Sequence, residues 1–239
     1  MNFLSLLLLQ FIAHLLADYT FQGKNMAHKK DHEGFKSKML KWHILIVFGC
    51  SVILGLQPIF IPFALIITIT HWIIDGFKPQ LLKNKYTHKY AFFIDQALHL
   101  IILTAVVYVF KQNIAWQPVF NISINPLILG IIAAFLFCTK PANILIREIF
   151  NAYEIFFEGG DEDLPNAGRL IGIIERWLVL IFIFTGQFSA VGFLIGAKSI
   201  LRFKDANLLK TEYVLVGTLL SFGIAILLAV IITRSITFF

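Results

Sequence analysis

Three pairs of histidine and aspartate stand four residues apart in this chain: His14 with Asp18, His71 with Asp75 and, in reverse order, Asp95 with His99. On a helix that spacing puts both side chains on one face, about one turn apart. Imidazole nitrogen and carboxylate oxygen together suit a divalent metal, zinc first and manganese or iron after it. Each pair lies in a strongly apolar run, where a charged group costs from about 3 kcal/mol upward unless paired or hydrated. The six side chains are satisfied most economically by one another and by a cation. The expected metal ligands are therefore His14, Asp18, His71, Asp75, Asp95 and His99, around one or two ions. A bound zinc lowers the pKa of its water to about 7. A carboxylate left over from ligation, Asp18 or Asp95, or the imidazole of His43, would then be the general base. The bland alternative is a buried polar network that fixes helix packing.

The elements that must position these residues are the apolar runs themselves. A transmembrane helix takes about 20 mostly apolar residues, and the candidates are Phe3 to Phe21, Trp42 to Leu56, Phe63 to Phe77, Ala91 to Phe110, Pro126 to Thr139, Arg169 to Thr185, Gln187 to Phe203 and Tyr213 to Thr233. The fold expected is an all-α, polytopic transmembrane helix bundle of about eight spans, or seven if one of the short fifth and seventh runs drops out. Composition agrees: 58% of the residues are hydrophobic and 14% charged, against roughly 25% charged in soluble domains. The net charge of +6 comes from residues spread over the segments between runs, so no nucleic-acid partner is expected. Cys50 and Cys138 both fall inside apolar runs and read as small buried residues. The first run lacks a preceding basic stretch and reads as a retained helix, not a signal peptide.

Lysine-rich segments follow runs one and three, and Arg202, Lys204 and Lys210 follow run seven. The segments after runs two, four and six carry only Lys111 between them. The positive-inside rule then places both termini in the periplasm and the basic segments in the cytoplasm. Because the third pair is reversed on an antiparallel run, all three aspartates lie shallow and all three histidines one turn deeper, toward the cytoplasmic face. Lys24 to Lys41 is expected to be a polar loop with His28 and His32 solvated, as His88 is in the next loop. Lys78, Lys83, Lys85 and Lys89 read as topology signals and contacts to anionic lipid headgroups. Arg176, Lys198 and Arg202 could clamp an anionic part of a substrate, or could form ion pairs with Glu175 and Glu212 between spans. The stretch 140–168 is expected to hold an amphipathic helix and the acidic turn Gly159 to Asp163. The domain reading is a four-span core over 1–110 and a C-terminal half over 111–239.

Gln10-Phe11-Ile12-Ala13-His14-Leu15-Leu16-Ala17-Asp18 with Phe21-Gln22, the Trp42-His43 pair, Thr70-His71-Trp72-Ile73-Ile74-Asp75 with Lys78, and Phe93-Ile94-Asp95-Gln96-x-x-His99 together resemble a bacterial integral-membrane family known only as domain of unknown function 3307. The C-terminal elements Gly168-Arg169-x-x-Gly172-x-x-Glu175-Arg176, Ala197-Lys198-Ser199-x-x-Arg202-Phe203 and Glu212-Tyr213-x-Leu215-x-Gly217-Thr218 are similar to a second block of its longer members. The resemblance implies a multi-pass protein of the bacterial cytoplasmic membrane and supplies no activity. A more distant likeness, by spacing alone, is to membrane-bound metal-dependent hydrolases.

The function expected is metal-dependent hydrolysis of a lipid-borne or amphiphilic substrate at the cytoplasmic face. Two alternatives stand beside it. The same residues could carry a cation or proton across the bilayer, although spans one, three and four show no internal glycine or proline break and the halves show no repeat. Or the protein is a non-catalytic scaffold or sensor that docks a partner on the acidic segment Glu154 to Asp163.

Overall fold

A computed structural model of the chain describes residues 2–114, 124–155, 167–202 and 208–237, with only the backbone at 201, 202, 208–210 and 235–237. The described residues are helical throughout, without a strand: α1 (Phe3–Leu15), α2 (Lys24–Glu33), α3 (Lys38–Gly55), α4 (Ile61–Lys83), α5 (Ala91–Asn113), α6 (Pro126–Phe137), α7 (Lys140–Ala152), α8 (Ala167–Phe184), α9 (Phe188–Arg202) and α10 (Leu208–Thr237). Among the described residues five stretches are long and apolar enough to cross a membrane: Phe3–Thr20, Lys38–Gly55, Pro58–Lys83, His88–Asn113 and Thr211–Arg234. The pair α6 and α7, bent by 53° at its break, would make a sixth. The fold is an all-α polytopic membrane bundle. The expected sixth run is α8, an 18-residue helix that carries Arg169, Glu175 and Arg176, and the seventh is the 15-residue α9.

The chain forms two compact units, Met1–Leu129 and Gly130–Phe239. In the first, α1, α3, α4 and α5 close a four-helix ring, with α1 against α3 and α5, and α4 against both α3 and α5. Each helix turns one stripe inward at helical spacing, for example Leu6, Gln10, His14 and Asp18, or Asp95, His99, Leu103 and Val107. Toward one end the stripe is apolar, where Leu6, Phe60, Ala64, Ile67, Leu103, Val106, Val107 and Phe110 form a sealed cluster. A Gln10–Ser51 pair follows, in which Ser51 Oγ donates to Gln10 Oε1 at 2.6 Å and Gln10 Nε2 donates to the Ser51 carbonyl at 3.1 Å. The histidines and aspartates of the four helices come next.

The caps are local and visible in sequence. Asn2 Oδ1 accepts the Ser5 amide at 2.8 Å to start α1, and Ser37 Oγ accepts the Met39 amide to start α3. Three local features depart from the sequence reading. Helix α1 ends in a π turn over Leu16–Thr20, closed by the Phe21 amide on the Leu16 carbonyl at 2.8 Å, a widening within span one that involves no glycine or proline. Helix α4 runs past Phe77 through Pro79 to Lys83, so an internal proline does lie in the third span. Lys24 to Lys41 is no loop: α2 and a short helical turn at Gly34–Lys36 occupy most of it, and His28 and His32 stand on α2.

Helix α2 is seated by two glycines. Gly34 adopts φ +54°, and a Cβ there would stand 2.6 Å from the Gly76 carbonyl oxygen. A Cβ on Gly76 would stand 2.1 Å from the Phe35 ring, which lies across α4 between Trp72 and Phe77 at centroid distances of 4.9 and 5.2 Å. The turn after α2 therefore reaches α4 one residue from Asp75.

In the second unit, α8 packs on α9 and α10, and α7 on α8 and α10, around Ala134, Cys138, Val179, Leu180, Ile183, Val191, Phe222, Ala225 and Ala229. The expected amphipathic helix within 140–168 is present as α7. The acidic turn Gly159 to Asp163 lies outside the described residues.

A buried histidine and aspartate cluster

All six expected ligands, and His43 with them, come together inside the first unit, each less than a tenth exposed. Helical spacing brings the members of each pair together, and the ring of helices brings the pairs together. His43 Nε2 and His71 Nε2 face each other at 3.0 Å. Asp18 Oδ1 lies 3.5 Å from each of them. Asp75 Oδ2 lies 3.5 Å from His43 Nε2 and 3.3 Å from His71 Nε2. Ligands of a tetrahedral zinc, each 2.0–2.1 Å from the ion, stand about 3.3–3.4 Å from one another. The five separations among these four atoms, 3.0–3.5 Å, lie close to that spacing.

Asp18 Oδ1 is ringed by a third imidazole nitrogen, His14 Nδ1 at 3.7 Å, yet accepts no hydrogen bond from any described residue. Buried carboxylate oxygens are normally hydrogen-bonded, so an oxygen aimed at three imidazoles without one suits a cation. Asp75 Oδ1, Asp95 Oδ1 and His99 Nε2 are likewise without a hydrogen-bond partner among the described residues. The donor set fits a divalent ion. Three overlapping groups could hold one: His14, Asp18 and His71; His43, His71 and Asp75; Asp75, Asp95 and His99.

The surrounding bonds orient the ligands. Gln96 Nε2 donates to Asp95 Oδ2 at 3.0 Å, so Gln96 Oε1 is the acceptor, and it takes the Tyr19 hydroxyl at 2.8 Å. The same oxygen lies 3.2 Å from His14 Nε2, which must therefore carry the proton. That leaves His14 Nδ1 as a bare lone pair facing Asp18 when the ring is neutral.

Two lysines complete the cluster, and sequence reasoning missed both. Lys30 on α2 is buried and donates to Asp75 Oδ2 at 2.8 Å. Its burial opposes the charge, but Asp75 and Asp18 hold its ammonium above the ordinary lysine range. Lys78 is largely buried between Asp31 at 3.1 Å and Asp95 at 3.6 Å. It serves the cluster rather than lipid headgroups. The signal was available for Lys78, because positions 71, 75 and 78 share one helix face. It was absent for Lys30, since α2 is polar all round.

A pocket adjoins the histidines. Gln10, Ala13, Val47, Ser51, Ile67, Thr70, Ile74, Ile102 and Leu103 line it, with His14, His71 and His99 in its wall. Its polar members are the three imidazoles with Gln10, Ser51 and Thr70, and the rest of its wall is apolar.

The expected anion-binding residues belong to the second unit. Arg176 is 1% exposed. Its Nε donates to the Cys138 carbonyl at 2.9 Å, Nη1 to Ser221 Oγ at 2.9 Å, and Nη2 to the Thr139 carbonyl at 3.3 Å and Asn143 Oδ1 at 2.7 Å. It ties the break between α6 and α7 to α8 and α10. Lys198 pairs with Glu175, the ion pair weighed from sequence. The side chain of Arg202 lies outside the described residues.

Helices of this length and apolarity around a buried cluster of metal-type ligands define an integral membrane protein with a candidate metal centre. The family follows from comparison: residues 6–126, half of the chain, match the family described as protein of unknown function DUF3307, and the chain belongs to it. No curated protein and no solved structure matches the chain.

Proposed function

We propose that the protein is a metal-dependent hydrolase of the bacterial cytoplasmic membrane, acting on a lipid-borne or amphiphilic substrate. The observation that carries this reading is that His43 Nε2 and His71 Nε2 lie 3.0 Å apart and each lies 3.3–3.5 Å from both Asp18 Oδ1 and Asp75 Oδ2. These four residues would hold the ion, which when bound supplies Lewis acidity and a water acidified toward neutral pH. His43 therefore moves from general base to ligand. His14, in the pocket wall with Nδ1 bare, is placed to accept the proton. Gln96 holds the His14 ring in that tautomer, and Tyr19 and Asp95 hold Gln96. The pocket of about 20 Å³ has room for about one water beside the imidazoles, so the tail of an amphiphile would stay in the lipid.

The test is hydrolysis of ester and phosphoester amphiphiles in detergent micelles by the purified full-length protein. Turnover is expected to cease on chelation and return with zinc or manganese. Full turnover by chelated protein that retains no metal would defeat the proposal.

A second reading has an observation of its own. Asp18 lies in the π turn that ends α1, and α6 and α7 are broken by 53°; transporters build ion sites on interrupted helices. Zinc or manganese flux into proteoliposomes, abolished by Asp18→Asn, would favour that reading over hydrolysis.

A further inference from the structure

We propose that the cluster takes two divalent cations bridged by the Asp75 carboxylate, the second held by Asp95 and His99. The inference rests on the metal reading above and adds a second ion to it.

The His71 and His99 rings stack, with centroids 3.9 Å apart and 21° between their planes. Each presents Nε2 to a different oxygen of the same aspartate: His71 to Asp75 Oδ2 at 3.3 Å, His99 to Asp75 Oδ1 at 3.6 Å. A carboxylate whose two oxygens face two parallel imidazoles is arranged as a bridge, and the stacking distance matches the roughly 3.5–4 Å that separates ions in two-metal sites.

The second position has its own unsatisfied donors. His99 Nε2 is 3.7 Å from Asp95 Oδ1 as well as 3.6 Å from Asp75 Oδ1. None of these three atoms has a hydrogen-bond partner among the described residues. Asp75, Asp95 and His99 are 0, 1 and 4% exposed, so water does not readily supply one. Lys78 and Gln96 occupy the other oxygen of Asp95, and Lys30 the other oxygen of Asp75. Each carboxylate thus keeps one oxygen turned toward His99; the other is held by Lys78 and Gln96 on Asp95, and on Asp75 faces the first position with Lys30 beside it.

The two positions differ in ligand number. The first has four protein donors and would admit a water only as a fifth ligand, whereas the second has three, which leaves room for a non-protein ligand. His99 also reaches the pocket wall. Two divalent ions with the Lys30 and Lys78 ammoniums outweigh Asp18, Asp31, Asp75 and Asp95 by two charges. The loaded site therefore attracts an anionic group, of which a phosphate ester is the simplest that a membrane offers.

The experiment uses the full-length protein in detergent, stripped of metal and titrated with Mn²⁺, read by elemental analysis and electron paramagnetic resonance. Wild type is expected to take two equivalents with an exchange-coupled spectrum. Asp95→Asn and His99→Gln are each expected to take one, with the six-line signal of an isolated ion. Inorganic phosphate is expected to raise the melting temperature of the two-ion wild type and not of the one-ion variants. Circular dichroism and gel filtration check that both variants fold. One equivalent in wild type, or two coupled equivalents surviving in both folded variants, overturns the second site while leaving the first. No uptake by folded wild type overturns both readings. A phosphate effect that is absent, or equal in all three proteins, overturns the anionic ligand.

Discussion

At the scale of single residues, the cluster places each group in competition for a small number of oxygens, and substitutions should separate the competitors. Lys30 and a metal both need Asp75 Oδ2, to which Lys30 donates at 2.8 Å. A hydrogen bond between charged groups contributes about 1.5–3 kcal/mol, and ten-fold in affinity corresponds to about 1.4 kcal/mol. Lys30→Met is therefore expected to bind zinc or manganese about ten-fold or more tighter, while melting lower in the metal-free state. Isothermal titration and thermal melts check this; unchanged affinity would mean that Lys30 does not hold Asp75. His14 gives a different signature. If Nδ1 takes a proton instead of ligating, His14→Ala keeps its metal and loses about 100-fold or more in turnover, the usual size of a general-base effect. Loss of metal from that variant would make His14 a ligand. The pairs at 14/18, 71/75 and 95/99 were legible because helical spacing in an apolar run constrains both face and depth. His43 was legible only as a neighbour, since a lone histidine carries no spacing of its own. Lys30 was hidden because its burial depends on how α2 lies against α4, which no local pattern in Lys24–Glu33 encodes.

At the scale of elements, α2 is a polar helix that owes its place to Phe35 on a glycine of α4. Gly76→Ala would put a Cβ 2.1 Å from the Phe35 ring, an overpacking that costs about 1–3 kcal/mol. The expected outcome is an α2 released from α4, with Lys29 and Lys30 becoming open to trypsin while the four-helix ring persists. Trypsin resistance equal to wild type would show that α2 is held by other contacts. In the second unit, the break between α6 and α7 leaves carbonyls of Cys138 and Thr139 that Arg176 satisfies. Lys can supply no planar fork to four acceptors on three sides, so Arg176→Lys is expected to destabilise this unit by about 2–4 kcal/mol, at about 1–3 kcal/mol for each buried acceptor left bare. Thermal melts of the two proteins in the same detergent measure it, and equal stability would remove Arg176 from the joint. Sequence showed the apolar runs of both units. It did not show that Pro79 is tolerated inside α4 or that α1 widens into a π turn at Asp18, because both depend on packing against neighbouring helices.

For the whole molecule, the positive-inside rule would put the cluster in the half of the bilayer nearer the cytoplasm, on the side of the basic segments that follow α1 and α4. Tyr86, 84% exposed in the second of these segments, reports that side. In a background lacking Cys50 and Cys138, Tyr86→Cys is expected to resist a membrane-impermeant maleimide in intact spheroplasts and to react after the membrane is opened. Labelling in intact spheroplasts would invert the topology. The central proposal, however, is that six buried side chains, Asp18, His43, His71, Asp75, Asp95 and His99, hold metal. The most direct test is elemental analysis of wild type beside His71→Ala, both purified in mild detergent without chelator and both shown to be folded. His71 Nε2 lies at the centre of the quartet, within 3.0–3.5 Å of His43, Asp18 and Asp75. At least one equivalent of zinc, manganese or iron is expected in wild type and negligible metal in His71→Ala. A folded wild type that carries no metal and takes none up, or a His71→Ala protein that keeps its full complement, would contradict it.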